Sequence, residues 1–481
     1  MTEQDEKKNN DEKNPKVEEK EPVITHHTLD VDGQTLEYTA IVGNMPLKDD
    51  KDEIKAEIFY TAYTLDDVEN SAERPLIFVF NGGPGSASIW LHMGALGPKR
   101  VDMGEEGFMP PPPYRLIDND YTWLDLGDLV FIDPVGTGYS KASESDKNKE
   151  YWGLESDLES VGEFIRLYLS RNERWTSPLY LAGESYGTTR ASGLSGHLID
   201  RGIALNGIML ISTVINFQTI RFTKANDLPY MLYVPTYCAT AYYHNKLDDE
   251  LQNRDFRELL HEVEQWSEEV YSVALAKGDR LSEEDTDTIA EQLSKYTGLS
   301  KRFILGADLR INIMSFCKEL VRDEKRAVGR LDSRFVGIMA SAEGQYFDFD
   351  PSMNAIIPPY NATYNQYIRS ELGYKSDDNY EVLSFKVNSS WKYKGGEFPD
   401  TSESLRSAFA KNPFMKVFVG QGYYDLATPF FAAYYSLEHM GLDASLRDNI
   451  TIAEYEAGHM MYLHVESLAK LKADVVSFMN D

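Results

Sequence analysis

The chain has 481 residues, 42% of them hydrophobic, which is enough for a sizeable core and for two or three domains. Its formal net charge of −30 repels nucleic-acid phosphate, so no DNA or RNA partner is expected. No apolar run reaches membrane-spanning length, no secretory apolar segment follows the charged N-terminus, and two cysteines, Cys238 and Cys317, are too few for a disulfide framework. The expectation is a soluble, cytoplasmic protein with no membrane partner.

Residues 1–24 are rich in Glu, Lys, Asp and Asn and read as a disordered charged tail. Thr28 to Tyr38 alternates about an Asp32-Gly33 turn, a hairpin signal. Ala56 to Tyr63 reads as another strand. Pro75-Leu-Ile-Phe-Val-Phe80 is continuously apolar, as suits a strand covered on both faces. Asp128–Asp133, Leu179–Glu184 and Gly207–Ser212 continue the series. Between them Leu154, Leu158, Val161, Phe164, Ile165 and Tyr168 recur at helical spacing. Strand and helix in alternation predict an α/β fold, with a central, mostly parallel sheet and helices on both faces.

From 226 to 399 the pattern changes. Phe256, Leu259, Leu260, Val263 and Trp266 form one helical stripe; Ile289, Leu293 and Tyr296 form another, ending at Gly298. Such stripes predict packed helices rather than chemistry. An aromatic- and Asn-rich stretch follows from Tyr346 to Trp391. The block reads as a largely helical inserted cap, with an independent second domain as the alternative. The sheet resumes at Lys416–Gly420 and Ile450–Tyr455, so the core comprises 25–225 and 400–481.

Chemistry centres on Leu179-Tyr-Leu-Ala-Gly-Glu-Ser185-Tyr-Gly187. A strand ends in Gly183-x-Ser185-x-Gly187 and a helix follows, the layout of a nucleophile elbow. A serine nucleophile needs a base and an acid that orients the base. In α/β-hydrolases these follow in the order Ser, Asp or Glu, His, each after a strand. Asp425 follows the Lys416 strand and His459 follows the Ile450 strand. Asp128 and Asp133 precede the nucleophile, and His464 falls on the following helical run. His26, His27, His92, His197, His244, His261 and His439 lack the position after a strand. The expected division is Ser185 as nucleophile, His459 as base and Asp425 as its orienter. For the oxyanion, the Tyr186 N–H and that of Gly83, in the Asn81-Gly-Gly-Pro-Gly85 loop, are the candidate donors. No His-Glu-x-x-His zinc motif and no phosphate-loop lysine is present, so no metal or cofactor is expected.

These residues, together with Leu96-Gly-Pro98, Asn119-x-x-x-Trp123, Asp133-x-Val-Gly-Thr-Gly-Tyr-Ser140, the Tyr424-Asp425 loop and Gly458-His-Met460, resemble the serine carboxypeptidase family, with the look of a bacterial member without disulfides. The resemblance implies an α/β-hydrolase fold and an enzyme that removes C-terminal residues from peptides. It implies that Asn81, Gly82 and Glu184 hold the substrate's terminal carboxylate. A family Glu in Glu-Leu-Gly-Pro is Ala95 here, the Cys after Pro-Gly is Ser86, and Val79-Phe80 replaces the Trp before Asn-Gly-Gly. The change to Ala95 keeps an esterase or acyltransferase with the same triad as the alternative; a binding module with an unreactive serine is a third reading.

Overall fold

The computed structural model describes residues 19–393 and 398–480. Most of the expected charged tail, residues 1–18, lies outside the described residues. The strand that follows starts at Val23, inside the span read as tail, and Glu19 already pairs with Arg171 on the protein surface.

One ten-stranded sheet organises the molecule. Its main path uses β1 (Val23–Val31), β2 (Gln34–Lys48), β3 (Ile54–Leu65), β4 (Leu76–Phe80), β5 (Asp128–Ile132), β6 (Leu179–Glu184), β7 (Gly207–Ile211), β8 (Lys416–Gly422) and β9 (Ile450–Tyr455). The spatial order is β1-β2-β3-β5-β4-β6-β7-β8-β9, with the short strand Lys141–Ala142 paired to β3 off this path. β1, β2, β3 and β5 pair antiparallel; every neighbour from β5 to β9 pairs parallel. The β1–β2 hairpin turns through Asp32 and Gly33 at φ 51° and 77°, a geometry that the Asp-Gly pair favours.

Alternation along the central strands assigns side chains to two faces. Leu76, Phe78, Val130, Ile132, Leu181, Ile208, Leu210, Val417 and Val419 share one core with helices α1 (Leu154–Arg171) and α2 (Tyr186–Ile199). Ile77, Val79, Leu129, Phe131, Met209, Ile211 and Phe418 point into the other.

The inserted block divides. Helices α3 (Val234–Tyr243), α4 (Phe256–Trp266) and α5 (Glu283–Thr297) pack with one another and onto Tyr423, Tyr424 and Leu426, beyond β8. Gly298 ends α5 in the left-handed conformation, at φ 68°. By contrast α6 (Pro351–Ser370) lays Ile356, Tyr360, Tyr364, Tyr367 and Ile368 into the core of the sheet itself. The aromatic stretch is therefore a core helix of the sheet as well as part of the insertion. Pro358 and Pro359 inside α6 hide it from periodicity, because proline ordinarily ends a helix. Helix α7 (Ser402–Lys411) closes the first face, α8 (Phe430–Glu438) follows β8, and α9 (Val465–Asn480) closes the second face. No helix among the described residues is long and apolar enough to cross a membrane.

Candidate active site

Ser185 sits between β6 and α2 at φ 60°, ψ −127°, a strained conformation for a residue with a Cβ. The turn holds because its neighbours leave no room for anything larger. A Cβ on Gly183 would lie 2.2 Å from the Gly187 carbonyl oxygen, and one on Gly187 would lie 2.7 Å from that of Phe80. The Ser185 N–H donates to the Ile211 carbonyl at 3.0 Å, and the Ser185 carbonyl accepts from Thr188 Oγ1 at 2.7 Å. The elbow is thus bolted to both the next strand and its own helix.

Asp425 and His459 come together from loops after β8 and β9. Asp425 is fully buried. Its Oδ1 accepts from the N–H groups of Ala427 (2.7 Å) and Thr428 (3.0 Å), and its Oδ2 accepts from His459 Nδ1 at 2.7 Å. A carboxylate here fixes the proton on Nδ1 and leaves Nε2 as the base. Thr428 Oγ1 lies 2.7 Å from Asp425 Oδ2 and 3.0 Å from the Ser212 carbonyl. The His459 main chain is tied down as well: its N–H donates to the Leu331 carbonyl at 2.6 Å, and its carbonyl accepts from Ser212 Oγ at 2.5 Å. Burial pulls the His459 pKa down, but Asp425 and then Glu184 outweigh it, so the imidazole is raised above its ordinary 6.5.

Ser185 and His459 line one cavity of about 200 Å³, with Asn81, Gly82, Gly83 and Glu184. Among the described residues no hydrogen bond joins the Ser185 hydroxyl to the imidazole; in unliganded hydrolases this bond is often long and tightens with substrate bound. The Asn81-Gly-Gly loop packs directly on the elbow. A Cβ on Gly82 would fall 2.3 Å from the Tyr186 nitrogen, and Gly83 bends away at φ 103°. Gly82 and Gly83 line the cavity, and the backbone nitrogen of Tyr186, first residue of α2, lies directly against Gly82.

Glu184 is buried on the cavity floor, where it accepts a short hydrogen bond from Tyr462. Burial raises its pKa from 4.5 to about 7, against the lowering effects of His459, Tyr462 and Asn81. Asn81 Oδ1 accepts from the Leu91 N–H at 3.1 Å, while among the described residues its buried Nδ2 has no partner in hydrogen-bonding geometry, though it is near enough to hold Glu184 down. Ala95 is fully buried.

The other acids and histidines have structural partners. Asp128 pairs with Arg74 and Arg174; Asp133 accepts from the Ser88 N–H and the Tyr380 hydroxyl; His464 Nδ1 meets Ser467 Oγ. Sequence reasoning missed Thr428, Ser212 and Tyr462. Thr428 and Tyr462 each stand three residues after a candidate, a spacing that carries no signal by itself. Arg190 on α2 was missed too. It is buried, pairs with Asp157 at 2.7 Å, and donates to the Asn81 carbonyl at 2.6 Å. Both cysteines are buried free thiols. Among the described residues no group of three His, Cys, Asp or Glu is placed to hold a metal.

The sheet, its order and the strained serine between β6 and α2 define an α/β-hydrolase. Residues 36–468 match the family model described as serine carboxypeptidase. The chain belongs to that family. Over 155 residues it is 34% identical to the pheromone-processing carboxypeptidase KEX1 of Saccharomyces cerevisiae, a match covering 30% of this chain and 20% of that protein. Over 138 residues it is 30% identical to serine carboxypeptidase-like 5 of Arabidopsis thaliana, covering 28% of this chain and 30% of that one. The matched segments thus span less than a third of either relative's length. The crystal structure of a Saccharomyces cerevisiae Kex1 prohormone-processing carboxypeptidase superposes with a TM-score of 0.59 at 18% identity, over 92% of this chain and 91% of that one, a likeness of fold.

Proposed function

We propose that the chain is a serine-type carboxypeptidase working through an acyl-enzyme. Ser185 Oγ attacks the carbonyl of the last peptide bond while His459 Nε2 takes its proton. The C–N bond breaks, His459 returns the proton to the leaving amine, and water then releases the acyl group by the same route. Asp425 holds the imidazole, and the N–H groups of Gly83 and Tyr186 receive the oxyanion. Asn81, Gly82 and Glu184 take the terminal carboxylate, Glu184 donating while protonated. The observation that carries this reading is the single cavity that places Ser185 and His459 beside Glu184 and Asn81. Two buried free thiols suit a reducing compartment, and a cytoplasmic location belongs to the proposal.

The test is mass spectrometry of a peptide library after incubation, each peptide with a free or an amidated C-terminus. Free peptides should lose residues from that end, and amidated ones should be poor substrates. Equal turnover of both overturns the proposal. Ala95, where the family carries a second carboxyl, favours one rival, an esterase or acyltransferase with the same triad. Small esters turned over with peptides untouched would establish the rival. Fluorophosphonate labelling, lost in Ser185→Ala, checks the nucleophile under either reading.

A further inference from the structure

Arg330 occupies the wall of the cavity without a part in the chemistry above. It comes from the inserted segment, and its backbone is held on both sides. Its carbonyl accepts from the Leu426 N–H, next to Asp425, at 3.1 Å; its N–H donates to Asp350 Oδ1, also at 3.1 Å. The following residue, Leu331, accepts from Ser352 no proton but gives one, its N–H donating to Ser352 Oγ at 3.0 Å, while its carbonyl receives the His459 N–H. The base of the side chain is therefore fixed relative to both catalytic loops.

The guanidinium is not similarly engaged. Among the described residues its one ion pair is with Asp350 at 3.9 Å, beyond hydrogen-bond length. That carboxylate already serves as the N-cap of α6, accepting from the Ser352 N–H and hydroxyl. The Arg330 side chain is 36% exposed and lines the cavity, and a guanidinium carries five N–H donors. Its charge opposes the rise in the His459 pKa, and it shares the cavity lining with Glu184.

We propose that Arg330 is a specificity-determining residue that selects substrates with an acidic side chain beside the scissile bond, through a forked pair between its guanidinium and that carboxylate. The proposal rests on the peptidase reading, in which Glu184 and Asn81 already take the terminal carboxylate. A planar guanidinium matches a carboxylate with two parallel hydrogen bonds. Met353, Ile356 and Leu331 line the same cavity and supply apolar surface beside the pair. In a chain of net charge −30 an acidic peptide is repelled at long range, so its selection needs a fixed local cation. The same cation opposes a Lys or Arg side chain at that position.

The experiment uses the full chain and matched peptides carrying Glu, Gln or Lys as the penultimate residue, and then as the last. The reading is the ratio of kcat/KM for Glu over Gln, in which any general loss of activity cancels. The wild type should prefer Glu by about tenfold at one of the two positions, mostly through KM. Arg330→Gln should bring the ratio close to one, Arg330→Lys should keep part of it, and Arg330→Glu should turn the preference toward Lys. A wild-type ratio near one at both positions overturns the proposal, as does a ratio that survives Arg330→Gln. If no peptide is cut while Ser185 still takes the fluorophosphonate, the peptidase reading fails by itself. The same ratio is then read with esters of a dicarboxylic acid against those of its neutral monoamide: dependence on Arg330 supports the anion-selecting role and independence ends it.

Discussion

Glu184 and His459 set each other's protonation. Burial raises Glu184 to about 7, and the anionic form of Glu184 helps to hold His459 above 6.5. Protonated Glu184 can donate to a substrate carboxylate and ionised Glu184 repels it, so kcat/KM for free peptides should fall as pH rises through about 7. His459 must be neutral to act as base, so activity should also fall on the acid side. The resulting bell belongs to the pair rather than to either residue. Glu184→Gln should flatten the alkaline limb and move the acid limb to lower pH, since an anion beside the imidazole is gone. A pH profile of the variant checks both shifts, and an unmoved acid limb would dismiss the coupling. The same residue-level view shows what the sequence makes legible. Ser185, Asp425 and His459 stand out because each directly follows a strand, and strands are written in local apolar runs. Tyr462 and Arg330 do not stand out, because what matters about them is a contact with Glu184 or a place on a wall supplied by distant segments.

The element that matters most is the loop after β4 lying on the N-terminus of α2. Its closeness is measured by Gly82, where a Cβ would sit 2.3 Å from the Tyr186 nitrogen and 2.8 Å from the Glu184 carbonyl oxygen. Both obstacles are backbone, so neither can rotate aside. Gly82→Ala should separate the loop from the elbow and cost roughly 100- to 1,000-fold in kcat, the range for loss of an oxyanion donor. Arg190 ties the same loop to α2 and α1 through the Asn81 carbonyl and Asp157. Removing one member of a buried pair leaves an uncompensated charge, so Arg190→Met should destabilise by about 3–5 kcal/mol. Adding Asp157→Leu should recover much of that in a denaturant titration while activity stays low, because the Asn81 loop loses its anchor either way. The helix that carries Arg190 is legible from the elbow motif, but the anchor is not. A lone arginine on a helix reads as a solvated charge until the packing of α1 is known.

Across the whole molecule the sheet separates two cores, and α6 belongs to one of them. Tyr364 is 1% exposed within that core. Tyr364→Ala should lower global stability by about 3–5 kcal/mol, as for any large buried aromatic, and should do so in the same calorimetric transition that Phe164→Ala lowers from the other face. Two separate transitions would mean that α6 melts independently. Tyr360, four residues earlier, has a buried hydroxyl without a partner among the described residues. Tyr360→Phe should leave stability unchanged or raise it by about 1 kcal/mol, since an unmet polar group is removed without changing shape. At this scale the sheet is largely readable from strand patterning and chain order. The partition of the insertion is not, because Pro358 and Pro359 mask α6 and nothing local says which face a helix will cover.

The rod formed by α6 therefore constrains how such molecules can be rebuilt. A chimera that exchanges the lid of one relative for that of another can cut in the loop after β7 and again ahead of Asp350, leaving the rod with its host. A second cut placed near Pro399 would import a foreign beam into the foundations, along with Met353 and Ile356 from the catalytic chamber. Swapping selectivity in that way would also mean re-fitting one whole face of the open sheet.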